Sequence, residues 1–405
     1  MNLRFDFDAP GRVAGFLRFT PGDVCAINSS VWIAYSAGAA SLLAWIYLFF
    51  FRGGFWRVRA SADPPPAAAN KSVAAVVPAR NEEAVIGPAI ASLVNQDYPS
   101  PFHVFLVDDH STDATIQASG THERLSIVHA GPIPAGWTGK LWAISEGLKK
   151  AERFQPDYIL LTDADIVHAP DSLTRLIARA EAEHLDLTSW MVKLRCGTLA
   201  ERALIPAFVF FFFMLYPPAW IASLRHKTAG AAGGCILIRS SALARIGGIS
   251  AIRSELIDDC ALARAVKPGG LIWLGMTEHA HSIRPYDTFA EIGRMISRSA
   301  FTELRHSAWL LAATIIGMAV IYLAPPLLLL TRDPLAMLLG LAAWMLMSIS
   351  YLPMLRFYRR SSGWAPLLPL IALFYMGATV DSALRYWTGR GGEWKGRIQG
   401  SIKSS

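Results

Sequence analysis

The sequence predicts an α/β fold built on a mostly parallel sheet, with membrane helices before and after it. Three observations lead there. Apolar residues make up 53% of the 405 residues and charged ones only 17%, a balance too apolar for an ordinary soluble domain. Charge-free runs of membrane length lie near both ends. Between them, short β-branched runs alternate with amphipathic segments, the texture of strands joined by covering helices.

Residues 1–25 form a mixed polar tail. Ala26 to Phe51 then carries no charge and exceeds the roughly 20 residues that a helix needs to cross a hydrocarbon core. Because no short basic region precedes it, an uncleaved anchor is expected rather than a signal peptide. Arg52, Arg57 and Arg59 follow, so the positive-inside rule places the next segment in the cytoplasm. Residues 52–70, ending in ADPPPAAAN, read as a linker.

Residues 71–305 form the α/β domain. The runs SVAAVVP, HVFLVDD (His103 to Asp109), LSIVHA (Leu125 to Ala130) and DYILLTDAD (Asp157 to Asp165) read as strands, and EEAVIGPAIASLVNQ and KLWAISEGLKKAERF as helices between them. One apolar run, LIPAFVFFFFMLYPPAWIASL (Leu204 to Leu224), interrupts the domain. Pro217 and Pro218 break it, and a single crossing there would strand the two halves of the domain on opposite sides. It is expected in the membrane interface or along a lipid-facing groove, with a buried core helix as the alternative. Ser307 to Thr331, Pro334 to Leu355 and Ser361 to Val380 are charge-free, giving about three spans within 307–384 and a basic tail over 385–405. Three crossings put that tail opposite the domain, whereas Arg385, Arg390, Lys395, Arg397 and Lys403 favour the same side. The last segment, ended by Asp381, has an interfacial reading too, and the side of the C-terminus stays open.

The net charge of +7 does not indicate a nucleic-acid partner, because the basic residues form no aromatic-interleaved face. Several flank the apolar runs, at Arg52, Arg57, Arg59, Arg356, Arg359 and Arg360, where anionic headgroups are the expected partners. The four cysteines, Cys25, Cys196, Cys235 and Cys260, show no CxxC spacing, so neither a disulfide framework nor a zinc site is indicated.

In an open parallel sheet, ligands bind beyond the carboxyl ends of the strands. The polar clusters fall there: VVPARNEE (Val76 to Glu83), VDDHSTD (Val107 to Asp113) and LTDAD (Leu161 to Asp165). Taken singly, each has a structural reading as a helix cap or turn. No glycine-rich phosphate loop follows the first strand, which excludes GxGxxG and P-loop sites. Asp163 and Asp165 repel one another unless a cation joins them, and Mg²⁺ or Mn²⁺ suits oxygen ligands supplied by one or two carboxylates plus phosphate. His279 and His281, in TEHAHSIRP, are a weaker ligand candidate, since i, i+2 spacing puts both on one strand face.

The ordered set VVPARNEE, VDDHSTD, GWTGKLWA, DAD and LIDDCALA resembles the family 2 glycosyltransferases of GT-A fold, over about Val73 to Arg305. Within that family, PAGWTGKLWA, LTDADI, SRSAFTEL (Ser297 to Leu304) and the terminal spans are most similar to the hopanoid biosynthesis-associated (hopene-associated) membrane enzymes. The resemblance implies inverting transfer from a UDP-sugar to a lipid acceptor, assisted by Mg²⁺ or Mn²⁺, in a multi-pass protein of the bacterial inner membrane with a cytoplasmic catalytic domain. It implies a nucleotide pocket bordered by Pro78, Ala79 and Glu82, with Asp109 on the uracil N3–H and Lys140 near the diphosphate. Asp163 and Asp165 would hold the metal, Asp163 also facing the donor. Asp259, beside Asp258, would be the base, and GAAGGCILIRSSAL (Gly230 to Leu243) would form the acceptor side. Arg294 and Arg298 would face either the diphosphate or lipid headgroups. The chain departs from polymer-forming relatives in lacking their Gln and Arg-Trp, which argues against a processive polymerase. Transfer to a polyprenyl phosphate and a non-catalytic scaffold with a retained shell are the alternative readings.

Overall fold

The structure is a computed structural model that describes residues 21–58, 70–391, 393–394 and 397–398. Residues 1–20 and 62–69, in which the polar tail and most of the Pro/Ala linker fall, lie outside the described residues, as do 399–405.

Eight strands form one sheet: β1 (Val73–Ala79), β2 (Phe102–Asp108), β3 (Leu125–His129), β4 (Tyr158–Thr162), β5 (Ile166–His168), β6 (Leu185–Lys193), β7 (Cys235–Arg239) and β8 (Leu271–Ser282). Their order is β3-β2-β1-β4-β7-β6-β8-β5. The pairs β1–β2, β2–β3, β1–β4 and β6–β8 are parallel, while β7 runs antiparallel to both neighbours and β5 antiparallel to β8. Only Asp163, Ala164 and Asp165 join β4 to β5, yet β5 lies four strands away in the order. A flat sheet would separate them by about 19 Å at roughly 4.8 Å per strand, whereas so short a connection reaches about 14 Å. The sheet therefore curls, and the DAD turn spans its mouth.

Every residue of β1 is buried, and its side chains alternate between two cores, as the period of a strand requires. Val73, Ala75 and Val77 meet the helices Ile86–Val94 and Ser172–Ala182 through Ile86, Ile90, Leu173 and Leu176. Ala74 and Val76 face the helix Gly139–Ala151 through Leu141 and Ile144. At Gly147 the helix lies so close that an added Cβ would sit 2.6 Å from Val76 Cγ1 and 2.7 Å from Val107 Cγ2.

This second core continues without a break into the apolar helices, taking in Leu204, Phe210, Tyr351 and Tyr375. Among the described residues, five helical segments are long and apolar enough to cross a membrane: Ser29–Phe51, Leu199–Ile221, Ala308–Leu328, Pro334–Phe357 and Ser362–Trp387. Leu199–Leu215 starts with a capping box between Thr198 and Glu201, and the chain breaks after it at Pro217 before the short helix Pro218–Ala222.

Candidate active site

The loops after β1 and β2 are fastened to each other. The Asn81 N–H donates to Ser111 Oγ at 3.1 Å, the Glu82 N–H to Thr115 Oγ1 at 2.7 Å and the Glu83 N–H to Asp113 Oδ2 at 3.2 Å. Asn81 and His110 adopt positive φ values of 52° and 57°. These bonds leave Glu82 facing inward, where its carboxylate meets Arg284 Nη2 at 2.6 Å.

Arg284 follows β8 and bridges two loops. Its Nε lies 3.3 Å from Asp165 Oδ2, an oxygen that also accepts from the Ser282 hydroxyl at 2.6 Å. Burial works against the Arg284 charge, but Asp165 and Glu82 outweigh it and raise its pKa.

Lys140 stands in the first turn of Gly139–Ala151, an end where helix N–H groups point outward. Its ammonium lies 3.0 Å from Asp163 Oδ1 and 3.1 Å from Asp258 Oδ2. Burial favours the neutral amine, yet Asp163 and Asp258 prevail and the lysine stays firmly charged. Burial raises the pKa of Asp163, with Lys140 pulling the other way.

Asp259 opens the helix Asp258–Val266. Its Oδ2 accepts from the Gly233 N–H at 2.9 Å and its Oδ1 from the Cys260 N–H at 2.7 Å. Burial first, then the adjacent Asp258 charge, pushes its pKa up to about 6 against the pull of Lys140 and those two N–H groups. The antiparallel β4–β7 register pairs Thr162 with Cys235, and Thr162 Oγ1 donates to the Gly234 carbonyl at 2.8 Å. The turn after β4 is thereby set opposite the glycines before β7, with Asp163 on one wall and Asp259 on the other.

These groups open into a cavity of about 890 Å³, within the range of small-molecule sites. Pro78, Glu82, Lys140, Asp163, Asp165, Asp258, Asp259 and Arg298 line it. Ala79 and Asp109 do not line it. Asp109 is fully buried, with its carboxylate 3.2 Å from His110 Nδ1 and 4.0 Å from Arg80 Nη1. His279 bonds Asp171 at 3.1 Å instead, and His281 is exposed away from the lining. Arg284, Ser282 and Tyr286 also line the cavity, and the sequence reading did not select them. The two-residue period of the β8 strand, carried past His279 and His281, was the signal for Ser282 on the opposite face.

Part of the lining is apolar: Met191, Leu194, Phe208, Phe212 and Met295. Phe208 and Phe212 belong to the apolar helix Leu199–Leu215. One cavity is thus lined both by charged side chains and by a helix of membrane composition.

Asp163 and Asp165 offer a hard divalent cation two carboxylates on the cavity lining, each of them ion-paired here, with Lys140 and with Arg284. No cluster of three His, Cys, Asp or Glu residues able to hold a metal occurs among the described residues. A cation here would complete its shell from phosphate and water, as Mg²⁺ commonly does.

Residues 74–247 match the family described as "Glycosyl transferase family 2". The chain is 37% identical over 110 residues to the beta-monoglucosyldiacylglycerol synthase of Synechocystis, covering 26% of this chain and 22% of that protein. It is 30% identical over 121 residues to a UDP-N-acetylglucosamine–dolichyl-phosphate N-acetylglucosaminyltransferase of Methanococcus voltae, covering 27% and 47%. The chain therefore spans less than half the length of these curated relatives. A mannosyltransferase from Pyrobaculum calidifontis, solved with GDP-Man and Mn²⁺, shares the fold with a TM-score of 0.54 at 18% identity, over 86% of this chain and 98% of its own.

Proposed function

We propose that the protein, whose residues 74–247 match the glycosyltransferase family 2, is a membrane-bound inverting glycosyltransferase that moves a sugar from a UDP-sugar to a lipid acceptor. The observation that carries this reading is the cavity itself, lined both by Lys140, Asp163, Asp165 and Asp259 and by Phe208, Phe212 and Met295. Relatives named for diacylglycerol and dolichyl-phosphate chemistry support the lipid half. The sequence resemblance points to a hopanoid as the acceptor and to the inner membrane, with the domain in the cytoplasm.

In the reaction, an acceptor hydroxyl oxygen attacks the anomeric carbon as the bond from that carbon to the diphosphate oxygen breaks. Asp259 takes the hydroxyl proton, its oxygens held in place by the Gly233 and Cys260 N–H groups. Lys140 and the N-terminus of its helix attract the diphosphate as negative charge grows on the leaving group. Asp163 and Asp165 would hold Mg²⁺ or Mn²⁺, which supplies Lewis-acid stabilisation of that charge. Glu82 and Ser282 keep Arg284 and Asp165 oriented along the same wall.

A ligand that binds only the folded state raises its melting temperature. UDP with Mn²⁺ is expected to stabilise the detergent-purified wild type and to lose that effect in Asp165→Asn. No shift in the wild type, or an equal shift in the variant, would count against the nucleotide site. A panel of UDP-sugars with extracted membrane lipids, read by mass, then identifies the product. Arg294 and Arg298 in the lining favour one second reading, a polyprenyl-phosphate acceptor whose phosphate is already ionised. Retained transfer by Asp259→Asn would select it.

A further inference from the structure

Contacts at the ends of the five apolar segments divide them into two groups. Three run between opposite faces. The N-terminal segment sets the Tyr35 hydroxyl 3.1 Å from Asp333 Oδ2, and just beyond its other end Arg52 Nε donates to the Met214 carbonyl at 3.0 Å. Pro334–Phe357 begins beside that same Asp333 and ends where Lys193 of the sheet domain lies 4.9 Å from the Phe357 ring and Arg359 lies 3.8 Å from Glu278. Ala308–Leu328 leaves the domain after His306 and comes against Gly38 at Leu328. The 329–333 turn marks the face far from the domain.

The other two segments return to the face they start from. Before Leu199–Ile221, the Thr198 hydroxyl donates to the Tyr286 carbonyl at 3.1 Å. At its end, Lys267 Nζ donates to the Trp220 and Ile221 carbonyls at 3.0 and 2.6 Å. Both anchors belong to the sheet domain. Ser362–Trp387 runs down along the preceding helix until Trp344 Nε1 donates to the Pro366 carbonyl at 3.0 Å, near the middle of Pro334–Phe357. It then climbs back. The Ser297 hydroxyl donates to the Ala378 carbonyl and the Phe301 N–H to Ser382 Oγ, each at 3.0 Å, and the His306 ring stacks on Tyr386 at 4.1 Å.

We propose that only Ser29–Phe51, Ala308–Leu328 and Pro334–Phe357 cross the bilayer. Leu199–Ile221 and Ser362–Trp387 are inserted into the single leaflet that faces the sheet domain, and residues 388–391 lie on the domain's side. The partner of this surface is the acyl region of that leaflet: Leu199, Leu215, Leu370, Leu373, Leu384 and Trp387 are each more than half exposed and lie on helices, the form whose backbone lipid tolerates, with the carbonyls freed around the Pro217 break taken up by Arg52 and Lys267. Arg385 and Arg390 then share a side with Arg52, Arg356 and Arg359, as the positive-inside rule asks. Five crossings would require the domain itself to pass through the membrane.

The test is labelling of single cysteines by a membrane-impermeant maleimide, in full-length chains whose native cysteines are serine, in sealed vesicles of known orientation. Arg390→Cys is expected to label together with Glu123→Cys in the domain, and Arg332→Cys only from the opposite side. Labelling of Arg390→Cys with Arg332→Cys would overturn the proposal. Trypsin added to the same vesicles carrying the unmodified protein gives an answer that needs no substitution. Cleavage after Arg390 must accompany cleavage in the domain, and protection of that bond while the domain is cut would overturn the proposal equally. Neither readout depends on sugar transfer, so a failed activity assay leaves this result standing and the reverse also holds.

Discussion

At Asp259, two backbone N–H groups aim both carboxylate oxygens while burial and Asp258 push the pKa up to about 6. A base acts only when ionised, so the rate of sugar transfer is expected to fall as the pH drops through about 6, and Asp259→Asn to lose about 10²- to 10⁴-fold in rate together with that limb of the profile. Initial rates against pH for both proteins check this, and a limb that persists in the variant would place the titrating group elsewhere. The same shift has a stability sign. The folded chain binds this proton more tightly than an ordinary aspartate of pKa 3.8, so the contribution of this group to stability declines as pH rises from about 4 to 6. Asp163 and Asp165 were legible in the sequence because the apolar run Tyr158 to Leu161 ends abruptly before them, and Lys140 because GWTGKLWA belongs to the ordered set of motifs that carries the family resemblance. Arg284 was not. A single arginine after a strand carries no spacing signal, and its importance comes from the curl that brings Glu82 and Asp165 within its reach.

The helix Gly139–Ala151 owes its place to Gly147, where there is no room for a side chain against Val76 and Val107. Gly147→Ala is expected to cost about 1–3 kcal/mol through overpacking, read as a lowered melting temperature. Because the helix carries Lys140, its displacement is expected to weaken UDP binding as well. The first four strands could be read from the sequence because each is a continuous apolar run bounded by polar residues. β5 has only three residues directly behind the DAD turn, and β7 follows a glycine-rich loop; their antiparallel directions depend on the curl, which no local pattern encodes. Asp109 illustrates the opposite case. Its motif stood out in VDDHSTD, yet the fold buries its carboxylate beside His110 and off the cavity.

Across the whole molecule, one apolar core runs from the sheet into the apolar helices, so the site and those helices are parts of a single packed unit. Replacing Phe208 and Phe212 by alanine is expected to raise KM for the lipid acceptor about tenfold, the equivalent of about 1.4 kcal/mol, while leaving KM for the nucleotide sugar unchanged. Equal changes in both constants would show that the two rings support the fold rather than the acceptor. The bridge formed by Lys140 between Asp163 and Asp258 has a kinetic counterpart. On the proposed reading, a diphosphate that draws the lysine toward itself would break its contact with Asp258. If that contact holds the acceptor side closed, steady-state rates with both substrates varied are expected to follow a compulsory order, donor first and acceptor second, and a random order would show that it does not.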